Sequence, residues 1–195
     1  MKDDRPIAGE DESREWRLAL GVVLAAVAVR FVLAGLVPLL PDETYYWEWS
    51  RRPAASYFDH PPAIAAVIAF GTALFGDTRI GVRFGAILLS LVGSLAAVAL
   101  ARRLGGGRAA LIAAVALAVM PMAAAGLLLA TPDAPLLAAF AVGTWALVRA
   151  VEKEPGTLAE IGWWCATGLA LGAALLSKYT AVLLPAGAAL GLLLD

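Results

Sequence analysis

The sequence predicts an all-α fold, a polytopic transmembrane helix bundle with juxtamembrane helices in its first external loop. Its 195 residues are 61% hydrophobic and 16% charged, whereas soluble proteins average about 25% charged residues. The apolar runs 18–40 and 80–100 each contain one arginine and no other charge. Each run reaches the roughly 20 residues that cross a hydrocarbon core of about 30 Å. The runs also lack the charged face that each helix of a soluble bundle needs.

The chain divides into a polar tail, residues 1–16, and an apolar transmembrane domain, residues 17–195. The first 17 residues hold four basic and six acidic side chains. This acidic segment and the long apolar run behind it do not resemble a cleaved signal peptide. We expect the tail to be cytoplasmic, either disordered or at the membrane surface. Spans are expected at about 17–40, 80–101, 109–129, 134–151, 162–176 and 180–194.

The orientation follows from basic residues near the span ends, which mark the cytoplasmic side. The apolar segment at about 62–76 is short for a span, so we interpret it as a re-entrant or interfacial helix. If it does not cross, the three basic clusters share the cytoplasmic side, and the loop 41–79 lies outside. These clusters are Arg14 with Arg17, Arg102 with Arg103 and Arg108, and Arg149 with Lys153.

The last apolar stretch predicts two short helices. As one helix, residues 163–194 would be about 48 Å long at 1.5 Å per residue, which exceeds an ordinary bilayer crossing. We therefore expect a turn at Ser177–Thr180, near the outer surface. Because the chain stops at Asp195 directly after an apolar run, we expect it to be part of a longer protein.

Composition also excludes some functions. The net charge of −1 argues against a polyanionic partner such as nucleic acid. A single cysteine, Cys165, excludes an intramolecular disulfide framework. The segment 41–62 instead holds three of the four tyrosines and two of the six tryptophans, a composition typical of a membrane–water interface.

The predicted topology places the unusual polar residues on one outer face. A transfer reaction there needs a carboxylate to accept a proton from an incoming hydroxyl. It also needs positive charge, from lysine or a metal ion, to hold a departing phosphate. Oxygen and nitrogen ligands from Glu43, Asp59 and His60 suit a divalent ion such as Mg²⁺, Mn²⁺ or Zn²⁺. The outer-face residues are Asp42, Glu43, Asp59, His60, Asp133 and Lys178.

Each of these residues also has a plain structural explanation. Pro41-Asp42-Glu43 and Thr131-Pro132-Asp133 are good helix starts, with proline and acids in the first turn and a threonine able to cap. Lys178 can reach the headgroups from a helix end, as can Arg83. His60 suits a solvated loop. Arg30 lies in mid-span, where ionisable residues usually face the bundle interior and a partner or a cavity.

Five motifs in order resemble one enzyme family. They are PDETYYWEWS, YFDHPP, LFGDTRIGVR, ATPDAPLL and LLSKYTAVLL. Together they resemble the dolichyl-phosphate-mannose protein mannosyltransferases, glycosyltransferase family 39 and its relatives. The likeness is strongest to the bacterial branch with the aminoarabinose transferases that act on lipid A. It runs from Leu18 to Leu194 and implies the amino-terminal part of a GT-C fold.

The resemblance implies an enzyme that moves a sugar from a polyprenyl-phosphate carrier, with inversion, to a protein, lipid or glycan acceptor. The chemistry would occur at the outer face of the inner (plasma) membrane of the cell envelope. The family's acidic pair falls on Asp42 and Glu43, the first acid being the usual candidate base. Its later lysine falls on Lys178, and its Pro-Asp acid on Asp133.

The resemblance assigns further residues to the same reaction. His60 would assist Lys178 in binding the carrier phosphate. Aminoarabinose transferases usually have lysine at this position, so the resemblance does not identify the sugar that is transferred. Asp59, with Asp133, Tyr45 and Tyr46, would contact the acceptor or position it.

Two other functions remain alternatives at this point. A transporter or lipid-linked sugar flippase would place ionisable residues near the midplane and show internal repeats; only Arg30 fits that pattern. A structural membrane subunit would leave the outer acidic residues without a use.

Overall fold

The computed structural model describes residues 8–194, and within that range it contains helices and no strand. The predicted all-α, polytopic bundle is confirmed. The elements are α1 (Ala8–Leu36), α2 (Pro41–Ser50), α3 (Ala63–Phe75), α4 (Arg79–Val119), α5 (Pro121–Gly126), α6 (Asp133–Val151), α7 (Leu158–Leu175), a 3₁₀ turn (Tyr179–Val182) and α8 (Leu183–Leu194).

Four helices of the described chain are long and apolar enough to cross a membrane. They contain Asp11–Leu36, Arg79–Val119, Asp133–Val151 and Leu158–Leu175. Helix α3 has 13 residues, so its length agrees with the interpretation of 62–76 as a helix that does not cross. Helix α8 has 12 residues and runs to the last residue that the structure describes.

The first helix begins earlier than the hydrophobic pattern suggests. It starts at Ala8, so the part of the polar tail from residue 8 onward is helical rather than irregular. Contacts made by this extension explain why it is ordered: Arg102 donates to the Glu12 carboxylate at 3.3 Å and lies 4.6 Å from the Trp16 ring. The prediction for residues 1–7 lies outside the described residues.

Helix α4 consists of two antiparallel helices joined by a tight turn. Gly105 and Gly106 have non-helical backbone angles, and Gly106 has φ +74°, a left-handed conformation that glycine adopts without steric cost. The segments 79–104 and 107–119 fold back on each other, since Val98 and Ala110 pack in one cluster with Val23 of α1. The turn lies where the sequence predicts a loop between two spans.

The second half of this hairpin ends before the predicted boundary. The predicted span 109–129 breaks after Val119 and continues only as the short helix α5. Pro121 explains the break, because it has no N–H to donate to the carbonyl of Leu117. The Arg30 guanidinium donates to that carbonyl instead, at 2.8 Å. Arg30 is buried, which confirms that it faces the bundle interior and a partner.

The helices alternate in direction, so the bundle has two ends. At the loop end (residues 37–78, 120–132 and 176–182), the Ala63 amide donates to the Leu176 carbonyl at 3.0 Å. At the arginine end (residues 102–108 and 149–157), Arg103 donates to Glu152 at 2.7 Å. This alternation agrees with the predicted order of spans. That the loop end faces outward stays a prediction.

Helices α3 and α4 approach each other through glycines. A Cβ on Gly71 would lie 2.2 Å from the Gly81 carbonyl oxygen, and one on Gly85 would lie 2.6 Å from the Val67 carbonyl oxygen. Only hydrogen fits at these positions, as is usual where membrane helices pack closely. The close packing fixes α3 against α4 and thereby positions the loop that precedes α3.

Replacing Gly71 by Ala is therefore expected to destabilise the protein by about 1–3 kcal/mol, because the new methyl group overlaps main-chain atoms. Thermal unfolding in detergent measures the effect. Gly21→Ala is the control, since a Cβ there meets nothing within 4 Å. Equal stability of the two variants would contradict the close packing.

Candidate active site

The site begins at the amino terminus of α2. Pro41 occupies the first helical turn with Asp42 and Glu43, so the sequence pattern is indeed a helix start, where acids are favoured by the helix dipole. The Glu43 carboxylate accepts the backbone N–H of Leu40 at 2.9 Å. The helix start and the predicted acidic pair are therefore the same feature, and the surroundings of the two acids differ.

Glu43 is fully buried and ion-paired with Arg83, which is also fully buried. Arg83 donates from Nε to Oε1 at 2.7 Å and from Nη2 to Oε2 at 2.5 Å. The prediction that Arg83 reaches the headgroups is wrong. Burial is possible because its other N–H groups donate to the carbonyls at the end of α1, at 2.8–3.2 Å: those of Ala34, Val37 and Pro38.

The Glu43 carboxylate has no capacity left for chemistry. Besides the two bonds from Arg83 and the one from Leu40, it accepts the Ala130 amide at 3.1 Å. Four donors match the four lone-pair sites of a carboxylate. The geometry gives Glu43 a structural role instead of the expected catalytic or metal-binding one: it ties α2, with Asp42, to α4 and to the chain before α6.

Asp42 has the opposite environment. Its side chain is exposed and makes no hydrogen bond or ion pair with any residue from 8 to 194. It lies one turn before Tyr46, so the two side chains share a face of α2. Asp42 is thus a carboxylate held on a rigid helix with its oxygens free.

Three predicted carboxylates converge around Tyr46. Burial raises the pKa of the Tyr46 phenol, and the negative charges of Asp42, Asp59 and Asp133 raise it further. The His60 ring also lies beside it, with 6.1 Å between ring centroids. Residues from three separate segments of the chain therefore meet at one corner of the loop end.

Aromatic packing holds this corner together. Tyr45 donates its hydroxyl to Asp59 at 3.0 Å, and that hydrogen bond raises the pKa of the Tyr45 phenol. Trp49 lies 4.8 Å from the Tyr45 ring and 5.0 Å from the Tyr46 ring, and it stacks on Tyr57 at 4.5 Å. Tyr45, which is predicted to position a substrate, thus also positions Asp59.

Lys178 and Asp133 form an ion pair, with 2.8 Å between Nζ and Oδ1. Asp133 opens α6 and Lys178 precedes the 3₁₀ turn. The predicted capping by Thr131 is wrong: Pro132 takes the cap position, and no side-chain oxygen caps the helix. The pair is part-exposed, so the ammonium group retains donors for a ligand.

The predicted metal ligands do not assemble into one set. Glu43 is fully occupied by its donors, and among residues 8–194 no three His, Cys, Asp or Glu side chains form a group that suits a metal ion. His60 Nδ1 is buried and has no hydrogen-bond partner among the described residues. A requirement for a divalent ion stays a prediction.

An apolar groove extends from the site into the bundle. Its volume is about 490 Å³, and it lies between α3, α4, α6 and α7. Pro62 and Ser177, which lie within two residues of His60 and Lys178 in the chain, line one part of it, while Val142 and Ala170 line another. The lining is almost wholly apolar, so the groove suits a hydrocarbon chain whose polar end lies near Lys178.

Sequence reasoning missed two contacts of the site. The first is the pairing of Arg83 with Glu43; the signal was a lone arginine in an apolar run, where a partner is the usual finding. The second is a hydrogen bond of 2.8 Å from the Trp47 indole to Asp77, which ties α2 to the turn before α4. No local pattern indicates this bond.

Comparison with known proteins gives one family. The family model for dolichyl-phosphate-mannose-protein mannosyltransferase matches residues 59–195. An undecaprenyl phosphate-alpha-4-amino-4-deoxy-L-arabinose arabinosyl transferase of Edwardsiella ictaluri is 42% identical over 106 residues, covering 45% of this chain and 19% of that protein. The lipid A galacturonosyltransferase RgtD of Rhizobium johnstonii is 27% identical over 181 residues, covering 91% of this chain and 37% of that protein.

The chain therefore spans well under half the length of these curated relatives. No solved structure matches it significantly. The matched region includes the residues Asp59, His60, Asp133 and Lys178, whereas the family model begins after Asp42.

Proposed function

The chain belongs to the dolichyl-phosphate-mannose-protein mannosyltransferase family, and on that premise we propose that it carries the catalytic loop of a membrane glycosyltransferase. The reaction moves a sugar from a polyprenyl-phosphate carrier to an acceptor outside the cytoplasm, with inversion at the anomeric carbon. Both relatives are named as sugar transferases, one after an undecaprenyl phosphate-linked aminoarabinose and the other after lipid A.

The observation that carries the proposal is a free carboxylate and an ammonium group that lie at the same end of the bundle. Asp42 is exposed and unpaired among the described residues. Lys178 is part-exposed and paired with Asp133. The negative charges of Asp42 and Asp133 both raise the pKa of Tyr46. A base and a phosphate-binding cation are the two groups that such a transfer needs.

The reaction then follows a single displacement. Asp42 accepts the proton of the acceptor hydroxyl as its oxygen forms a bond to the anomeric carbon. The bond between that carbon and the phosphate oxygen breaks, and its electron pair leaves with the polyprenyl phosphate. Lys178 stabilises the negative charge that gathers on this oxygen. Because attack and departure occur on opposite faces of the sugar, the product has inverted configuration.

The apolar groove supports a lipid donor. Pro62 and Ser177 belong to its lining, and its volume of about 490 Å³ is bounded mostly by apolar side chains. A polyprenyl chain in this groove would place its phosphate near Lys178. His60 is half-buried at the same corner, and its buried Nδ1 has no hydrogen-bond partner among the described residues; we assign its ring a place beside the phosphate.

The described residues support a divalent metal ion less well than they support the base and the phosphate-binding cation. Asp59 and His60 are adjacent in the chain, but Glu43 cannot join them because Arg83 and two amides saturate its oxygens. The described residues do not fit a three-ligand site, so no step of the mechanism uses a metal ion.

The transporter alternative loses its one supporting residue. Arg30 donates to the Leu117 carbonyl that Pro121 leaves without a partner. This contact gives Arg30 a structural use in the bundle and does not indicate an ion pathway.

The proposal is tested at Lys178. We expect Lys178→Gln, introduced into the full-length enzyme, to lower kcat/KM for the lipid-linked donor about 10- to 150-fold, the effect of losing a hydrogen bond to a charged group of about 1.5–3 kcal/mol. The assay follows transfer of labelled sugar from a polyprenyl-phosphate donor at varied donor concentration. Lys153→Gln, at the arginine end, is the matched control.

An unchanged kcat/KM for the donor in Lys178→Gln would remove the phosphate contact from the mechanism. Absence of any transfer by the wild-type full-length enzyme from polyprenyl-phosphate donors would overturn the proposed function itself.

A further inference from the structure

A second pocket lies at the arginine end, the end of the bundle opposite the residues of the proposed reaction. Its volume is about 360 Å³, and polar atoms dominate its surface. Helices α1, α4 and α6 each contribute to it. The side chains that define it are those of Glu12, Trp16, Arg102, Arg103, Trp145 and Arg149.

Positive charge exceeds negative charge in this arginine pocket. Arg102 pairs with Glu12 at 3.3 Å, and Arg103 pairs with Glu152 at 2.7 Å. Arg149 forms no ion pair with the side chains that the structure describes, and its Nε is buried without a hydrogen-bond partner among them. One guanidinium donor is therefore left over, and a buried polar group of this kind is costly unless a ligand satisfies it.

Tryptophans hold the arginines in place. The Arg102 guanidinium carbon lies 4.6 Å from the Trp16 ring centroid, and that of Arg149 lies 5.4 Å from the Trp163 centroid. Trp145 meets Trp163 edge-to-face at 5.0 Å. Such cation–π contacts restrict the guanidinium groups before a ligand arrives. Tryptophan is also the side chain that prefers the depth of lipid headgroups.

The arginine pocket opens into an apolar groove. This second groove, of about 470 Å³, shares Trp16, Ala99 and Trp145 with the pocket and continues along Leu95 and Val92. A polar cavity and an apolar one thus meet at the same three residues. A free anion would use only the first of them, whereas a lipid with a charged head and a hydrocarbon tail would fill both.

We propose that the arginine pocket binds an anionic phospholipid, with the phosphate at Arg102 and Arg149 and one acyl chain in the adjoining groove. Guanidinium groups suit phosphate because two N–H groups can donate to two of its oxygens. Basic pockets between transmembrane helices bind anionic headgroups for the same reason. This inference does not depend on the proposed transfer reaction, which lies at the other end of the bundle.

The test uses the full-length protein purified in detergent and measures binding of dioleoyl phosphatidylglycerol by native mass spectrometry. Wild type is expected to bind it at least about tenfold more tightly than dioleoyl phosphatidylcholine. Arg149→Gln should weaken phosphatidylglycerol binding about tenfold, as expected for one lost charge-assisted hydrogen bond. Arg108→Gln removes the same charge from an exposed position of the same end and should leave binding within about twofold.

Three outcomes would overturn the proposal: equal binding of the two lipids, equal losses in Arg149→Gln and Arg108→Gln, or full displacement of the lipid by equimolar inorganic phosphate. The last outcome would identify an anion site without a tail. Ala99→Phe provides a second variant that keeps every charge and fills the junction of pocket and groove. It should weaken phosphatidylglycerol binding as Arg149→Gln does; unchanged binding would also overturn the proposal.

Discussion

Replacing Asp42 by Asn is expected to lower kcat for sugar transfer by about 10²- to 10⁴-fold, the usual contribution of a general base. The amide of Asn cannot accept the proton of the acceptor hydroxyl. Because Asp42 contacts none of the described residues through a hydrogen bond or ion pair, the fold should be unaffected. The measurement is transfer of labelled sugar by the full-length enzyme at saturating donor, with thermal unfolding measured in parallel.

Glu48→Gln is the matched control for this experiment. Glu48 lies on the same helix and is also exposed, so its replacement removes an equal charge at the same end of the bundle. It should keep most of the activity. Full activity in Asp42→Asn would eliminate Asp42 as the base. Equal losses in both variants would show that the negative potential of the loop, rather than one carboxylate, supports the reaction.

The two acids at the start of α2 show which part of the site can be predicted from the sequence and which part cannot. Asp42 and Glu43 both follow Pro41, and both suit a helix start and a catalytic pair. What separates them is Arg83, 40 positions later in the chain, together with the Ala130 amide. These partners depend on how α1, α4 and α6 pack. No periodicity within the loop carries that information.

The positions of the helices could be predicted from the sequence where an apolar run is long enough to cross a membrane. The spans that became α1, the first part of α4, and α6 follow apolar runs because each run must bury its backbone polar groups in a helix. The misplaced boundaries have specific causes. Pro121 ends a helix inside an apolar run, and contacts of Glu12 and Trp16 with Arg102 extend α1 into a polar segment.

The gathering of polar residues at one end of the bundle was also predictable. Alternating spans place Asp42, Asp59, Asp133 and Lys178 at the same end of the bundle. In the structure they lie at the loop end: the three aspartates surround Tyr46, and Lys178 is paired with Asp133. The apolar groove beside them was not predictable, because it is the space left between four helices. Its shape depends on small residues such as Ala138 and Ala173.

Replacing Glu43 by Gln is expected to destabilise the protein by about 3–5 kcal/mol, the cost of removing one partner from a buried ion pair. The amide keeps the size of the side chain but loses the charge. Its NH₂ group must also face one of the N–H donors that the carboxylate now accepts from Arg83, Leu40 and Ala130. Reversible unfolding in mixed detergent micelles measures the free energy of unfolding.

Asp42→Asn is the matched control, since it makes the same chemical change one residue earlier at an exposed position. If Asp42 is the base and Glu43 is structural, each variant should lose a different property. Asp42→Asn should lose turnover and keep its stability, whereas Glu43→Gln should lose stability, with activity falling only as far as the folded fraction and the positioning of Asp42 fall. If Glu43→Gln instead unfolds like wild type and turns over as slowly as Asp42→Asn, then Glu43 takes part in the chemistry. Its saturated hydrogen bonds would then have to rearrange when the substrates bind.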